Sequence, residues 1–115
     1  MTKRPLDIVF FKTEMGNEPA REWLKSLSKE DRQLIGEDIK AAQIGWPLGM
    51  PMIKKVEPGI WEIRSNLGNR IARVFLTKSP DKLVILHGFI KKTQKTPLAE
   101  LEIARKRLKT AKKGD

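Results

Sequence analysis

The sequence predicts an α+β domain with two N-terminal helices, an antiparallel β-sheet of about four to five strands and a C-terminal helix. Three observations carry this reading. Apolar side chains recur at helical spacing between positions 18 and 43. Between 52 and 90, four apolar or alternating runs are separated by hairpin signals. A Thr-Pro pair then opens a final stretch that returns to helical spacing. At 115 residues the chain fits one domain, 1–115, with a single modest core.

In chain order, Asp7-Ile-Val-Phe-Phe11 reads as a short strand, closed by Met15-Gly16-Asn17. Asn17 is expected to cap a helix beginning near Pro19 and carrying Trp23, Leu24 and Leu27. Ser28 caps a second helix through about Gln43, with Glu30 and Asp31 in the first turn, where the helix dipole favours acids. Leu34, Ile35, Ile39 and Ala42 give it one buried stripe. Gly45, Pro47, Gly49 and Pro51 break the chain into a loop. Strands are predicted at 52–56, 60–65, 70–77 and 83–90, with turns at Pro58-Gly59, Gly68-Asn69 and Ser79-Pro80-Asp81. The last run, Leu83-Val-Ile-Leu-His-Gly-Phe-Ile90, is apolar on both faces and belongs inside the sheet. Thr96 and Pro97 serve as N-cap and first residue of the terminal helix, whose Leu98, Leu101, Ala104 and Leu108 face inward. Trp23, Trp46 and Trp61 are expected to anchor the core.

Composition narrows the function. No cysteine is present and His87 is the one histidine, so thiolate sites, cysteine nucleophiles and two-histidine mechanisms are excluded, and no metal site is expected. No apolar run approaches a membrane span and no secretory segment opens the chain, which predicts a cytoplasmic protein without a membrane partner. The net charge is +10. Residues 1–58 hold 10 basic and 9 acidic side chains, whereas 59–115 hold 14 and 5. Such segregation suits a polyanion, because each neutralised phosphate releases counterions.

The basic half contains three groups of cations. Lys54 and Lys55 stand on the first strand of the meander, Arg64 and Arg73 on the next two, and Lys91, Lys92 and Lys95 follow the last. Strand alternation puts Trp61 and Ile63 on one face, Glu62 and Arg64 on the other. Arg73, between Ala72 and Val74, needs water, a partner or a cleft. One alternative is an ion pair with an acid such as Glu62. On the terminal helix, Arg105, Lys106, Arg107 and Lys109 are expected to crowd the outer surface and meet RNA phosphates.

Gly59-Ile-Trp-Glu-Ile-Arg64, Arg70-Ile-Ala-Arg-Val-Phe75 and Leu86-His-Gly-Phe-Ile-Lys-Lys-Thr-Gln-Lys-Thr-Pro97 resemble the HigB-like, phage-derived branch of the RelE/ParE toxin superfamily. Gly49-Met-Pro-Met-Ile-Lys-Lys55 and the 99–107 helix fit the same resemblance, which covers most of residues 18–110. It implies a RelE-like fold and a type II toxin that enters the ribosomal A site and cuts translated mRNA. The implied partners are mRNA, ribosomal RNA and a helix-turn-helix antitoxin. Such cleavage uses the RNA's own 2′-hydroxyl and needs no cofactor; the protein orients groups, moves protons and stabilises a phosphorane. By the resemblance Arg73 is the first choice for that stabilisation and Arg64 a phosphate contact or co-stabiliser. Lys91 or Lys92 would exchange a proton, since crowded lysines favour the neutral form of one of them. Lys54, Lys55, Lys95, Arg105 and Arg107 would bind RNA. The sequence departs from the family in having no tyrosine, so His87, Phe89 and Gln94 are the candidates for the stacking or proton-donating part. A ParE-like gyrase inhibitor and a non-catalytic basic RNA-binding or phage module are the competing readings.

Overall fold

A computed structural model describes residues 5–46, 53–91 and 97–113. Strand β1 (Asp7–Phe10) leads into helices α1 (Pro19–Ser26) and α2 (Lys29–Gly45). Strands β2 (Ile53–Glu57), β3 (Ile60–Asn66), β4 (Ile71–Ser79) and β5 (Lys82–Lys91) follow, and helix α3 (Leu98–Lys113) comes last. The strands form one sheet in the order β1-β5-β4-β3-β2. Helices α1 and α2 cover one face, burying Ile35, Ile39, Ala42 and Trp46 against Ile63, Val74, Leu76 and Ile85. Helix α3 covers the other, with Leu101 and Ala104 against Phe75, Val84, Leu86 and Phe89. Among the described residues, no helix is long and apolar enough to cross a membrane.

The sheet is mixed rather than antiparallel. Strands β2 to β5 form the expected meander, but β1 pairs with β5 in parallel, Ile8 beside Leu83 and Phe10 beside Ile85. β5 is apolar on both faces and needs a hydrogen-bonding neighbour on each side. β4 supplies one and the first strand, returning from far in the sequence, supplies the other. The turns follow their glycines: Gly59 and Gly68 have φ of 85° and 88°, a region that side chains with a Cβ avoid.

Three local expectations are corrected. Asn17 does not cap α1; Glu18 holds the N-cap position without a side-chain hydrogen bond. The Asn17 backbone instead closes a turn, its N–H donating to Thr13 Oγ1 and its carbonyl accepting from the Thr13 N–H. Leu34 and Leu98, predicted to face inward, are 43% and 65% exposed, because each helix rotates so that its neighbours fill the stripe. Helix α3 begins at Leu98, one residue later than expected, with the Pro97 carbonyl accepting from the Leu101 N–H. The predicted loop at 47–51 and the Thr96 cap lie outside the described residues. Ser28 caps α2 as expected, accepting from the Asp31 N–H at 3.2 Å.

The tryptophans are core anchors. Trp46 and Trp61 meet edge to face, centroids 5.4 Å apart at 71°. Trp23 lies so close over Gly88 that a Cβ there would stand 2.3 Å from the indole. Arg70, just ahead of β4, grips Asp31 of α2 with two hydrogen bonds of 3.0 and 3.1 Å. That grip holds the Asp31 carboxyl below its ordinary value against the opposing effect of burial.

Two outcomes follow. Gly88→Ala should lower stability by about 1–3 kcal/mol, the cost of forcing α1 off the sheet, and denaturant unfolding would read it. Asp31→Asn should be less stable than the parent at neutral pH. A carboxyl whose pKa is depressed on folding stabilises above its unfolded value and loses that effect as pH falls through the folded one. The melting-temperature gap should therefore close below about pH 4.

Candidate functional site

Strand register assembles the site on the sheet face that α3 partly covers. β3 and β4 pair Arg64 directly with Arg73 and Glu62 with Phe75. β5 adds Phe89 beside Arg73 and His87 beside Phe75, and β2 adds Lys54 beside Glu62. One row thus runs Arg64, Arg73, Phe89 and the next Lys54, Glu62, Phe75, His87. Lys91, two residues beyond Phe89, shares this face by alternation.

Like charges directly across a strand pair repel, so opposed arginines require a counter-charge. Glu62, two residues before Arg64 on the same face, provides it. Arg64 Nε donates to Glu62 Oε1 at 2.5 Å, and Arg73 Nη1 stands 3.8 Å from Glu62 Oε2. The Glu62 and Arg73 side chains are fully buried, while Arg64 keeps 32% of its surface. Burial pulls the Arg73 guanidinium below its ordinary value; Glu62 opposes this and Arg64 adds to it. One carboxylate between two guanidinium groups leaves a net positive charge, and the exposed Lys54 adds another. Among the described residues Arg64 engages a partner through Nε alone, so its two terminal nitrogens are donors for a ligand, arranged in the planar fork that suits phosphate oxygens.

Arg73, the first choice for phosphorane stabilisation, has the partner that its apolar strand required rather than open solvent. As part of an interior strand it lies fully buried, with the Glu62 carboxylate between it and Arg64. Lys54 and Lys55 also separate: Lys55 pairs with Trp61 on the opposite face, its Nζ 5.4 Å from the indole centroid. Lys92, Gln94 and Lys95 lie outside the described residues.

The remaining predicted contacts join an internal network. His87 Nε2 meets Glu100 Oε2 at 2.6 Å, and Arg107 Nη1 approaches His87 Nδ1 at 3.3 Å and donates to the Leu86 carbonyl at 2.8 Å. A guanidinium only donates, so Nδ1 accepts and Nε2 carries the hydrogen shared with Glu100. The imidazole also stacks on Phe89, centroids 5.8 Å apart. A β-bulge makes this possible. Between Phe75 and Leu76 the β4–β5 register shifts by one residue, so both Leu86 and His87 reach toward α3. Burial lowers the Arg107 pKa, and Glu100 opposes it. Arg105 is clamped by Glu57 of β2 at 2.8 Å and Glu102 at 2.6 Å, which raises its pKa. Arg107 thus holds α3 to the sheet from a part-buried position, while Arg105, 41% exposed, ties α3 to β2 at the surface.

Glu100 is the residue whose place in the site the sequence reading missed. That reading names Glu62 as a possible partner of Arg73, because an acid two positions from an arginine on a strand shares its face. Glu100 required knowing how α3 crosses β5. Among the described residues, no three histidine or acidic side chains gather as a metal site would need.

Residues 22–109 match the family described as Phage derived protein Gp49-like (DUF891). No curated protein matches the chain.

The buried ion pair makes a stability prediction. Arg73→Ala leaves a buried carboxylate with one partner and should cost about 3 kcal/mol. Glu62→Gln leaves two guanidinium groups face to face and should cost a similar amount. An Arg73→Ala protein that melts with the parent would show that the pair does not hold the sheet together.

Proposed function

The chain belongs to the Gp49-like family of phage-derived proteins, and from that premise we propose that it is the toxin of a type II toxin–antitoxin pair. The family is compatible with such a toxin. In this reading it acts in the cytoplasm as a ribosome-dependent, metal-independent mRNA endonuclease that stops translation, and a helix-turn-helix antitoxin restrains it. The supporting observation is the gathering of Lys54, Arg64 and Arg73 around the Glu62 carboxylate on one sheet face.

The chemistry assigned to this face is transesterification within the RNA. The 2′-oxygen bonds to phosphorus, the bond from phosphorus to the 5′-oxygen breaks, and a proton passes from the 2′-hydroxyl while another is given to the departing 5′-oxygen. Arg64 offers its terminal nitrogens to the equatorial oxygens as charge builds on them. Arg73 and Glu62 act from beneath, holding the Arg64 fork in one orientation. Lys54 would secure a flanking phosphate, and Lys91 at the end of β5 would exchange a proton with the leaving group. Ribosomal RNA would be met by lysines of α3, such as Lys106 and Lys109, whose neighbours Arg105 and Arg107 are engaged internally.

Induced expression should arrest growth with translation failing before DNA replication; early DNA damage signalling with translation intact would identify gyrase as the target instead. Cleaved mRNA should end in a 2′,3′-cyclic or 3′-phosphate, and 3′-hydroxyl ends would exclude 2′-hydroxyl attack. Arg64→Ala should cut single-turnover cleavage by roughly 100-fold. Arg64→Lys should restore little, since a point charge does not reproduce the fork.

A further inference from the structure

At the far end of the α3-covered face lies a cleft of about 480 Å³ between β1 with the loop after it, the β4–β5 turn and the last turns of α3. On β4 its lining runs from Thr77 to Ser79, four to six residues from Arg73, or roughly 13–20 Å at the rise of an extended strand. Phe11, Val84, Leu108 and Ala111 form an apolar floor continuous with the α3-side core. Lys12, Lys78, Lys82 and Lys112 ring it, and among the described residues Glu14 is the only acid in the lining. The Lys78 ammonium is held over the turn, donating to the Ser79 and Pro80 carbonyls at 3.4 Å. The adjoining strand β1 is a sheet edge, with Val9 39% exposed.

We propose that this cleft docks an acidic, amphipathic segment of a partner polypeptide, with apolar side chains on the floor and carboxylates toward the four lysines. The volume lies within the range of built binding pockets, and an apolar floor inside a charged rim is the pattern by which grooves take amphipathic segments. Four lysines against one glutamate select a negative partner. Nucleic acid fits less well. The Phe11 ring is already covered by Arg107, 5.6 Å from its centroid, and Phe10, the other aromatic residue of the lining, packs against the core on the opposite face of the sheet. A phosphate backbone would also leave the Val84, Leu108 and Ala111 floor without an apolar partner. This inference is independent of the activity assigned to the Arg64 end of the sheet.

The test uses the full chain and three fluorescent probes: a short helical Leu/Glu peptide, an all-Glu peptide of equal charge, and a single-stranded RNA of similar length. Chemical shift changes caused by the Leu/Glu peptide should map to Lys12, Val84 and Ala111. Lys12→Glu combined with Lys112→Glu should weaken its binding about ten-fold or more, and Arg64→Ala should leave it unchanged. The all-Glu peptide should bind about ten-fold more weakly, since it cannot use the floor. No binding of the Leu/Glu peptide, equal binding of all three probes, or shifts centred on Arg64 would each overturn the proposal. Circular dichroism of the double variant, whose positions are exposed, separates lost binding from lost folding.

Discussion

Arg64 and Arg73 face one another across the β3–β4 pair, and a sheet tolerates that arrangement only with a negative charge within reach. Glu62 occupies that place, fully buried, touching both guanidinium groups. Its burial would be unfavourable without them, and theirs without it. The three side chains therefore form a unit whose members cannot be assigned independent contributions. The meander supplies the register and α3 shelters the face, but the carboxylate makes a cationic patch compatible with a packed sheet.

The net charge of +10 overstates what is available to a ligand. Arg70 is held by Asp31, Arg105 by Glu57 and Glu102, and Arg107 by the Leu86 carbonyl and His87. These arginines join elements distant in sequence: β4 to α2, and α3 to β2 and β5. The lysines differ. Lys12, Lys54, Lys78, Lys106, Lys109 and Lys112 remain exposed. Arginine, with a flat head and several fixed donors, suits internal clamps, whereas lysine remains hydrated on a flexible stem. The molecule thus divides its positive charge into structural arginines and a lysine exterior, with Arg64 belonging partly to both.

β5 connects the layers. On one side Gly88 admits Trp23, seating α1. On the other, the bulge turns Leu86 and His87 toward α3, where Glu100 and Arg107 meet the imidazole. The Leu86-His-Gly-Phe89 stretch, the most distinctive motif in the sequence, is therefore explained by packing at each position. His87 has both ring nitrogens engaged and stacks on Phe89, which suits a bracket for α3. The same strand ends at Lys91, so the bracket also fixes where the basic end of the sheet lies relative to the helix.

The sequence by itself determined the three helices, the four-stranded meander, the Ser28 cap, the glycine turns and the concentration of charge in the second half. Those features arise from local spacing, turn chemistry and composition, which a linear reading captures. It also placed Glu62 and Arg64 on one face, since strand alternation is a local rule. Only the tertiary structure decided that β1 closes the sheet in parallel, because its partner lies more than seventy positions away. Register across β2–β3 decided that Lys54 rather than Lys55 stands beside Glu62, and an interior position buried Arg73. The crossing of α3 over the sheet then turned Arg105 and Arg107 into clamps and brought Glu100 to His87. Each of these outcomes depends on which strand or helix lies beside which, and on how deep, quantities set by long-range packing that no local pattern encodes.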